Sequence, residues 1–189
     1  MQKSSSPVSR DDYVAAERTS PVKHELVHGV VRAMSGKGFN HAAVTGNCFV
    51  ELRNRLQTKG CKPLIGDLRV HAPSGLDAYP DCSVVRGQPE LADDGTTLLN
   101  PMMIVEVVSP GTSSFDRGDK FRHYRSIPTL MDYLVVDSEE VSVEHFRRAD
   151  NGEWVLRVYA DLDDRIFLPA FDETLPLSVL YQDVQLGGA

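Results

Sequence analysis

The sequence predicts an α/β protein with a mixed central β-sheet flanked by α-helices. Apolar residues at every fourth position predict an amphipathic helix from residue 40 to about residue 58. Two apolar runs, 102–108 and 133–136, predict buried strands, and the segment 114–126 between them has helical spacing. A strand, a crossover helix and a second strand in this order indicate a parallel strand pair with a right-handed connection.

Other elements precede the long helix. We expect residues 1–8 to be a disordered polar tail. Ser9, followed three residues later by Asp12, is typical of a helix start. Two β-rich halves on either side of Gly29 predict a tight hairpin over residues 25–34.

The middle and end of the chain read as short strands. Two strand-like runs, 64–71 and 81–86, are separated by turn residues. The polar segment 87–101 is expected to be an exposed loop. Alternating runs at 141–146 and 154–159 predict a C-terminal antiparallel hairpin at an edge of the sheet.

Composition limits the classes of protein. With 189 residues, 41% of them hydrophobic, the chain is expected to form a single domain over residues 9–189. No apolar stretch approaches the ~18 residues that span a bilayer, so we expect a cytoplasmic protein with no membrane partner. Three cysteines without paired spacing indicate neither a disulfide framework nor a zinc site. The net charge of -7 argues against a broad basic surface for nucleic acid but allows a local groove.

The candidate site begins with an acid inside an otherwise apolar strand. Burying the carboxylate of Glu106 costs roughly several kcal/mol unless it is protonated, paired or bound to a metal. If the strand that follows Asp81 is a neighbour, both carboxylates could bind one Mg²⁺, which prefers oxygen ligands. On the predicted crossover helix, Asp116, Lys120 and Tyr124 share one face.

Each of these interpretations has an ordinary structural alternative. Glu106 could be paired with an arginine in the core, and Asp81 could be a turn residue. Lys120 and Asp116 could form an i,i+4 ion pair on a solvated helix face. All of these alternatives would have to be true together for the candidate site to be absent.

Together, the motifs resemble the Uma-type endonuclease family, a branch of the PD-(D/E)xK, or restriction-endonuclease-like, nuclease superfamily. The resemblance extends from about residue 25 to about residue 179. It rests on ELVHGVV (25–31), His41, YPDCSVV (79–85), VEVVSP (105–110), DRGDK (116–120) with Tyr124, and YLVVD (133–137).

This resemblance implies a restriction-endonuclease-like core and a DNA endonuclease that depends on Mg²⁺, with Mn²⁺ as a substitute. Asp81 and Glu106 would be the metal ligands, Glu25 a further catalytic acid and Lys120 the catalytic lysine. In the superfamily the lysine lies two residues after the second acid, where this chain has Val108. Lys120 would therefore reach the same place from the following helix.

The resemblance also implies lesser roles for three residues. His41 would contact a phosphate from the start of its helix, where the helix dipole favours anions. Asp116 and Tyr124 would support the site. The alternatives are that His41 is a partly buried helix-start histidine and that Glu25 is a surface strand residue.

Two functions of different classes follow. The first is an active metal-dependent DNA endonuclease, for which a homodimer is expected because a two-fold dimer can address both strands of a duplex. The second is a nuclease-fold module that binds nucleic acid or regulates, with weak or lost catalysis; a phosphodiesterase acting on RNA or small nucleotides is a third. The deciding observation is whether Glu25, Asp81, Glu106 and Lys120 come within ~5 Å of a common point.

Overall fold

Two six-stranded β-sheets form the centre of the computed structural model, which describes residues 7–34, 36, 38–109 and 115–186. The strands are β1 (His24–Val27), β2 (Val30–Ala33), β3 (Cys61–Ile65), β4 (Arg69–Ala72), β5 (Leu76–Ala78), β6 (Cys82–Arg86), β7 (Leu91–Ala92), β8 (Thr97–Leu98), β9 (Met103–Val108), β10 (Asp132–Asp137), β11 (Val143–Arg148), β12 (Trp154–Tyr159), β13 (Arg165–Leu168) and β14 (Glu173–Pro176).

The helices are short except for one. They are α1 (Arg10–Glu17), α2 (Phe39–Leu56), α3 (Phe121–Tyr124) and α4 (Leu177–Leu180), with 3₁₀ turns at Gln57–Lys59, Asp93–Gly95 and Pro169–Phe171 and a π-helical turn at Asp116–Lys120 that runs directly into α3. No helix in the described part of the chain is long and apolar enough to cross a membrane.

The central sheet has the strand order β12-β11-β10-β9-β6-β3, in which only β9 and β10 are parallel. The second sheet has the order β2-β1-β5-β4-β8-β7, and β13 pairs with β14 in a separate two-stranded sheet. The predicted mixed central sheet, the parallel pair joined by a crossover helix and the hairpin at the sheet edge are all confirmed. The second sheet was not predicted.

A hydrophobic core covers each face of the central sheet. Val105 and Leu134 pack with α2 and the C-terminal segment on one face. Ile104 and Tyr133 pack with α3 and the second sheet on the other face. Because β9 and β10 are buried on both faces, their sequences are continuous apolar runs rather than alternating ones. Glu106 falls on the face that carries Ile104.

The predicted local motifs are present at the N-terminal end. The Ser9 hydroxyl caps α1 by accepting a hydrogen bond of 3.1 Å from the backbone N–H of Asp12. In the β1–β2 hairpin, His28 and Gly29 have φ values of 48° and 78°, the left-handed pair that a two-residue turn with matching twist requires. This turn fixes the register of the hairpin.

Two expectations need correction. The run 64–71 is not one strand: β3 and β4 belong to different sheets, because a turn at Gly66 and Asp67 interrupts it. The segment 87–101 is not simply an exposed loop, since it contains β7 and β8 and buries Leu98 completely.

Two expectations reach beyond the described residues. Residues 1–6 of the predicted tail lie outside them, whereas the backbone N–H of Val8 donates to the carbonyl of Gly29 over 2.9 Å. The start of the predicted crossover helix, residue 114, also lies outside them, and its described part begins at Phe115.

A buried ionic network holds the second sheet together. The Asp77 side chain is 1% exposed and lies 3.1 Å from both Arg10 and His71 and 3.7 Å from Arg69. Asp77 is paired with Leu26 of β1 in the sheet register. The network thereby ties α1 to the strand that carries Glu25.

We expect Asp77→Ala to lower the free energy of unfolding by about 3–5 kcal/mol, because it leaves the charge of buried Arg69 poorly compensated. Urea denaturation measures the change. The matched control is Asp94→Asn, which removes the charge of an exposed partner of Arg18, keeps a residue type that tolerates the φ of 59° at this position, and should cost less than about 1 kcal/mol. Equal costs for the two variants would contradict the structural importance of the network.

Candidate active site

Three carboxylates converge on the ammonium group of Lys120. Its Nζ lies 2.7 Å from Glu25 Oε1, 2.9 Å from Asp116 Oδ1 and 3.2 Å from Glu106 Oε1. The Tyr124 hydroxyl donates a second hydrogen bond of 3.0 Å to Glu106 Oε1. All five side chains are buried. The ion pair between Lys120 and Asp116 is therefore not on a solvated helix face, and Glu25 is not a surface residue.

Three different parts of the fold position these side chains. Glu25 comes from the second sheet and Glu106 from the central sheet, while Lys120 and Asp116 come from the crossover between β9 and β10. The crossover lies over the sheet face that carries Glu106. The Tyr133 hydroxyl anchors it by donating a hydrogen bond of 2.8 Å to the Asp116 carbonyl.

Asp81 lies beside this cluster at the end of the adjacent strand. It directly precedes β6, whose Cys82 is paired with Val105, and one further step in this antiparallel register places Asp81 opposite Glu106. Asp81 Oδ2 accepts a hydrogen bond of 2.8 Å from the backbone N–H of Val107. The strands of the two predicted metal ligands are thus neighbours.

His41, in the first turn of α2, faces Asp81. Its Nε2 lies 3.3 Å from Asp81 Oδ2, and its Nδ1 lies 3.3 Å from the Thr45 hydroxyl. Nε2 is buried and makes no hydrogen bond within the described residues. The predicted phosphate contact of His41 is not tested by these distances, but they place the ring next to a predicted metal ligand.

A cavity of about 270 Å³ opens onto the cluster and is lined by Glu25, Glu106, Asp116, Lys120 and His41, among others. Arg32 also lines it, and sequence reasoning missed this residue. Arg32 lies opposite Glu25 in the β1–β2 register, and its guanidinium is 4.7 Å from the centre of the Phe115 ring. The two-residue turn at Gly29, applied to the predicted hairpin, would have found it.

Burial is the largest influence on the electrostatics of the cluster, followed by the attraction between Lys120 and the carboxylates. Burial raises the pKa of Glu106 to about 8; Lys120 opposes this shift, and the charges of Asp116, Asp81 and Glu25 add to it. Burial alone would lower the pKa of Lys120, but Glu106, Glu25 and Asp116 together raise it well above its ordinary value. Lys120 thus stays protonated, and carboxylates outnumber it.

The carboxylates of Asp81 and Glu106 are ligands of the type that binds a hard divalent cation, but they do not by themselves form a complete metal site. Carboxylate oxygens are the ligands that Mg²⁺ prefers, and one or two of them with several waters suffice. Among the described residues, no group of three or more His, Cys, Asp or Glu side chains is preformed to hold a metal ion. A site on Asp81 and Glu106 would therefore be completed by water or by substrate.

Comparisons with known proteins identify the family of the chain. The model of the Uma2 family, described as "Putative restriction endonuclease", matches residues 10–179. Two uncharacterized proteins of Synechocystis sp. are 30% identical to the chain: slr1290 over 176 residues (93% of this chain and 92% of the relative) and sll1609 over 147 residues (77% and 83%).

A solved structure shares the fold. The crystal structure titled as that of "a putative nuclease belonging to DUF820" from Anabaena variabilis superposes with a TM-score of 0.76 at 17% sequence identity. The superposition covers 93% of this chain and 98% of that chain. At this identity the likeness concerns the fold.

We expect Glu106→Gln to stabilise the metal-free protein increasingly as the pH rises. The native pKa of about 8 exceeds the ordinary value of 4.5, so the carboxyl contributes most to stability below about pH 4.5, and this contribution is lost as the pH rises through about 8. In EDTA, the melting temperature of the variant relative to wild type should rise by at least ~3 °C between pH 5 and pH 9. Glu139→Gln, at an exposed cavity position, should track wild type; a difference for Glu106→Gln that does not change with pH would refute the shift.

Proposed function

Because this chain belongs to the Uma2 family, we propose that it is a nuclease that hydrolyses DNA phosphodiester bonds with Mg²⁺, or with Mn²⁺ in its place. The observation that carries the proposal is the convergence of Glu25, Glu106 and Asp116 on Lys120 beside Asp81, on a fold shared with a nuclease-like structure. Structural stability alone does not call for so many buried charges around one cavity, because burying charges is costly.

In this proposal Asp81 and Glu106 hold the metal ion. The ion, when bound, polarises the scissile phosphate and lowers the pKa of a bound water. Glu106 must be ionised to act as a ligand, and the hydrogen bond from Tyr124 fixes the orientation of its carboxylate. Glu25 would hold a metal-bound water.

Lys120 orients the carboxylates and offsets their charge. It cannot serve as a general base, because its pKa is raised well above the ordinary value. Its charge is also more than offset by the carboxylates around it, which leaves little attraction for a phosphate. Another cation is needed at the substrate.

Arg32 is suited to bind the substrate phosphate. It lines the same cavity, is exposed, and has no carboxylate within ion-pair distance among the described residues. The guanidinium instead stacks on Phe115. Arginine binds phosphate oxygens with two parallel hydrogen bonds, which makes it well suited to this contact.

A specific observation favours the second function, a nuclease-fold module that binds nucleic acid. Lys120 already forms ion pairs with all three carboxylates of the cluster. The described residues also contain no preformed group of three metal ligands. For the nuclease we further propose a homodimer, since two copies related by a two-fold axis place one active site on each strand of a duplex.

We expect purified protein to nick supercoiled plasmid with Mg²⁺ or Mn²⁺ and not with EDTA. Glu106→Gln and Lys120→Gln should each lower the rate by about 100-fold or more, because the first removes a proposed metal ligand and the second removes the cation that orients the carboxylates. Agarose gels of plasmid and of single-stranded DNA measure cleavage, with Glu140→Gln, at an exposed position outside the cavity, as the control that keeps wild-type activity. Absence of cleavage with either metal, together with no Mg²⁺ binding by calorimetry, would favour the binding module.

We expect Arg32→Gln to raise the KM for DNA by about tenfold, equivalent to about 1.4 kcal/mol, and to change kcat less. The loss reflects one charged contact to the phosphate. Steady-state cleavage of a short labelled duplex separates the two constants. The control is Arg53→Gln, which removes an exposed arginine of α2 that does not line the cavity. Its KM shows the effect of the change in net charge alone. Equal KM values for the two variants would remove Arg32 from the site.

A further inference from the structure

A second cavity lies on the opposite face of the central sheet. Its volume is about 260 Å³, and its lining includes His145, Arg147, Arg157, Tyr159 and Phe167. In β11, His145 and Arg147 alternate with residues of the other face, where Phe146 packs on the crossover helix. The first cavity therefore does not share this surface.

Two arginines meet in this cavity without acidic partners. The register pairs His145 with Arg157 and Arg147 with Val155, so the two arginines are diagonal neighbours on one sheet face. The Cα atoms of such diagonal neighbours are about 7–8 Å apart. Within the described residues neither guanidinium forms an ion pair or a side-chain hydrogen bond. This is unusual in a chain with 27 acidic residues against 20 basic ones, and an anion would offset the repulsion between them.

The nearest acid in the register is held by His145 through one of its two oxygens, while its buried Oδ2 makes no hydrogen bond within the described residues. Asp132 lies opposite Arg147, but its Oδ1 contacts His145 Nε2 over 2.7 Å, and both side chains are buried. The pair fixes the histidine ring in the wall of the cavity. With Asp132 counted, the charge around the cavity remains positive by at least one unit.

Aromatic rings lie beside the arginines. Phe167 is 50% exposed, although a phenylalanine is costly to leave in water, and Tyr159 lies across the same cavity. Cations next to an accessible aromatic ring are the features that bind a phosphate together with a stacked base.

We propose that this second cavity binds a nucleotide unit, with its phosphate on Arg147 and Arg157 and its base stacked on Phe167. The binding does not depend on hydrolysis at the first cavity. The nucleotide could be free or part of a nucleic-acid strand, since both carry the same phosphate and base.

The test is a titration of the ¹⁵N-labelled full chain in EDTA with thymidine monophosphate and, separately, with thymidine. The monophosphate should shift the backbone amide resonances of β11, β12 and β13, and thymidine should not, because it lacks the phosphate. Arg147→Gln/Arg157→Gln should weaken binding at least tenfold, and Phe167→Leu should weaken it less. These side chains lie at the surface, so the folded spectrum provides the check that each variant is intact.

The matched control is Arg53→Gln/Arg125→Gln, which removes the same charge at exposed positions outside both cavities. It should leave binding within twofold of wild type. Equal losses in both double variants, shifts confined to other strands, or unchanged binding by Arg147→Gln/Arg157→Gln would each overturn the proposal.

Fluorescence anisotropy of a labelled oligothymidylate then identifies the source of the nucleotide. Tighter binding than the monophosphate, weakened by Arg147→Gln/Arg157→Gln, identifies a strand; monophosphate binding without strand binding identifies a free nucleotide. Plasmid cleavage by the same variant is measured separately. Failure of the proposed nuclease activity is then distinguishable from failure of this site.

Discussion

The burial of Glu106 in the central sheet is the constraint on which the rest of the structure depends. A carboxylate between Ile104 and Val108 in the core needs a partner, and among the described residues Lys120 from the crossover helix is the one cation that hydrogen-bonds it. Lys120 in turn attracts Glu25 and Asp116. The outcome is a cluster in which negative charge exceeds positive charge, the condition under which a cation is bound.

The fold supplies this cluster through the parallel pairing of β9 and β10. Their connection must cross over one face of the sheet, and Tyr133 of β10 fixes the crossover through the carbonyl of Asp116. With Lys120 coming from the helix, the strand position two residues after Glu106 is free to be apolar. Val108 there is completely buried in the core. The departure from the superfamily spacing therefore has a packing benefit.

Much of the fold could be predicted from the sequence because the signals are local. The four-residue spacing in α2, the cap at Ser9 and the turn at Gly29 each depend on neighbouring residues. The second sheet could not be predicted, because its pairing of β1 with β5 and of β4 with β8 joins distant segments. The buried strand β8 lies within a largely polar segment, and its burial depends on distant partners such as Arg69 of β4, which donates hydrogen bonds to the Thr97 hydroxyl.

For the candidate site as well, local patterns could be predicted from the sequence and contacts between distant segments could not. The apolar run around Glu106 and the strand that follows Asp81 indicated these two acids, the family resemblance added Glu25, and the helical spacing put Asp116 on the face of Lys120. Spacing alone did not indicate that Asp116 is a full partner in a buried cluster. The second cavity could not be predicted from the sequence, because its two arginines become neighbours only through the β11–β12 register.

The placement of Glu25 and Arg32 on the second sheet, and of Glu106 on the central one, makes the site a product of the docking of two sheets. A chain in which only one sheet has formed holds only part of the constellation. If the protein cleaves DNA, partly folded chains are therefore inert. Catalytic competence then reports the completion of folding.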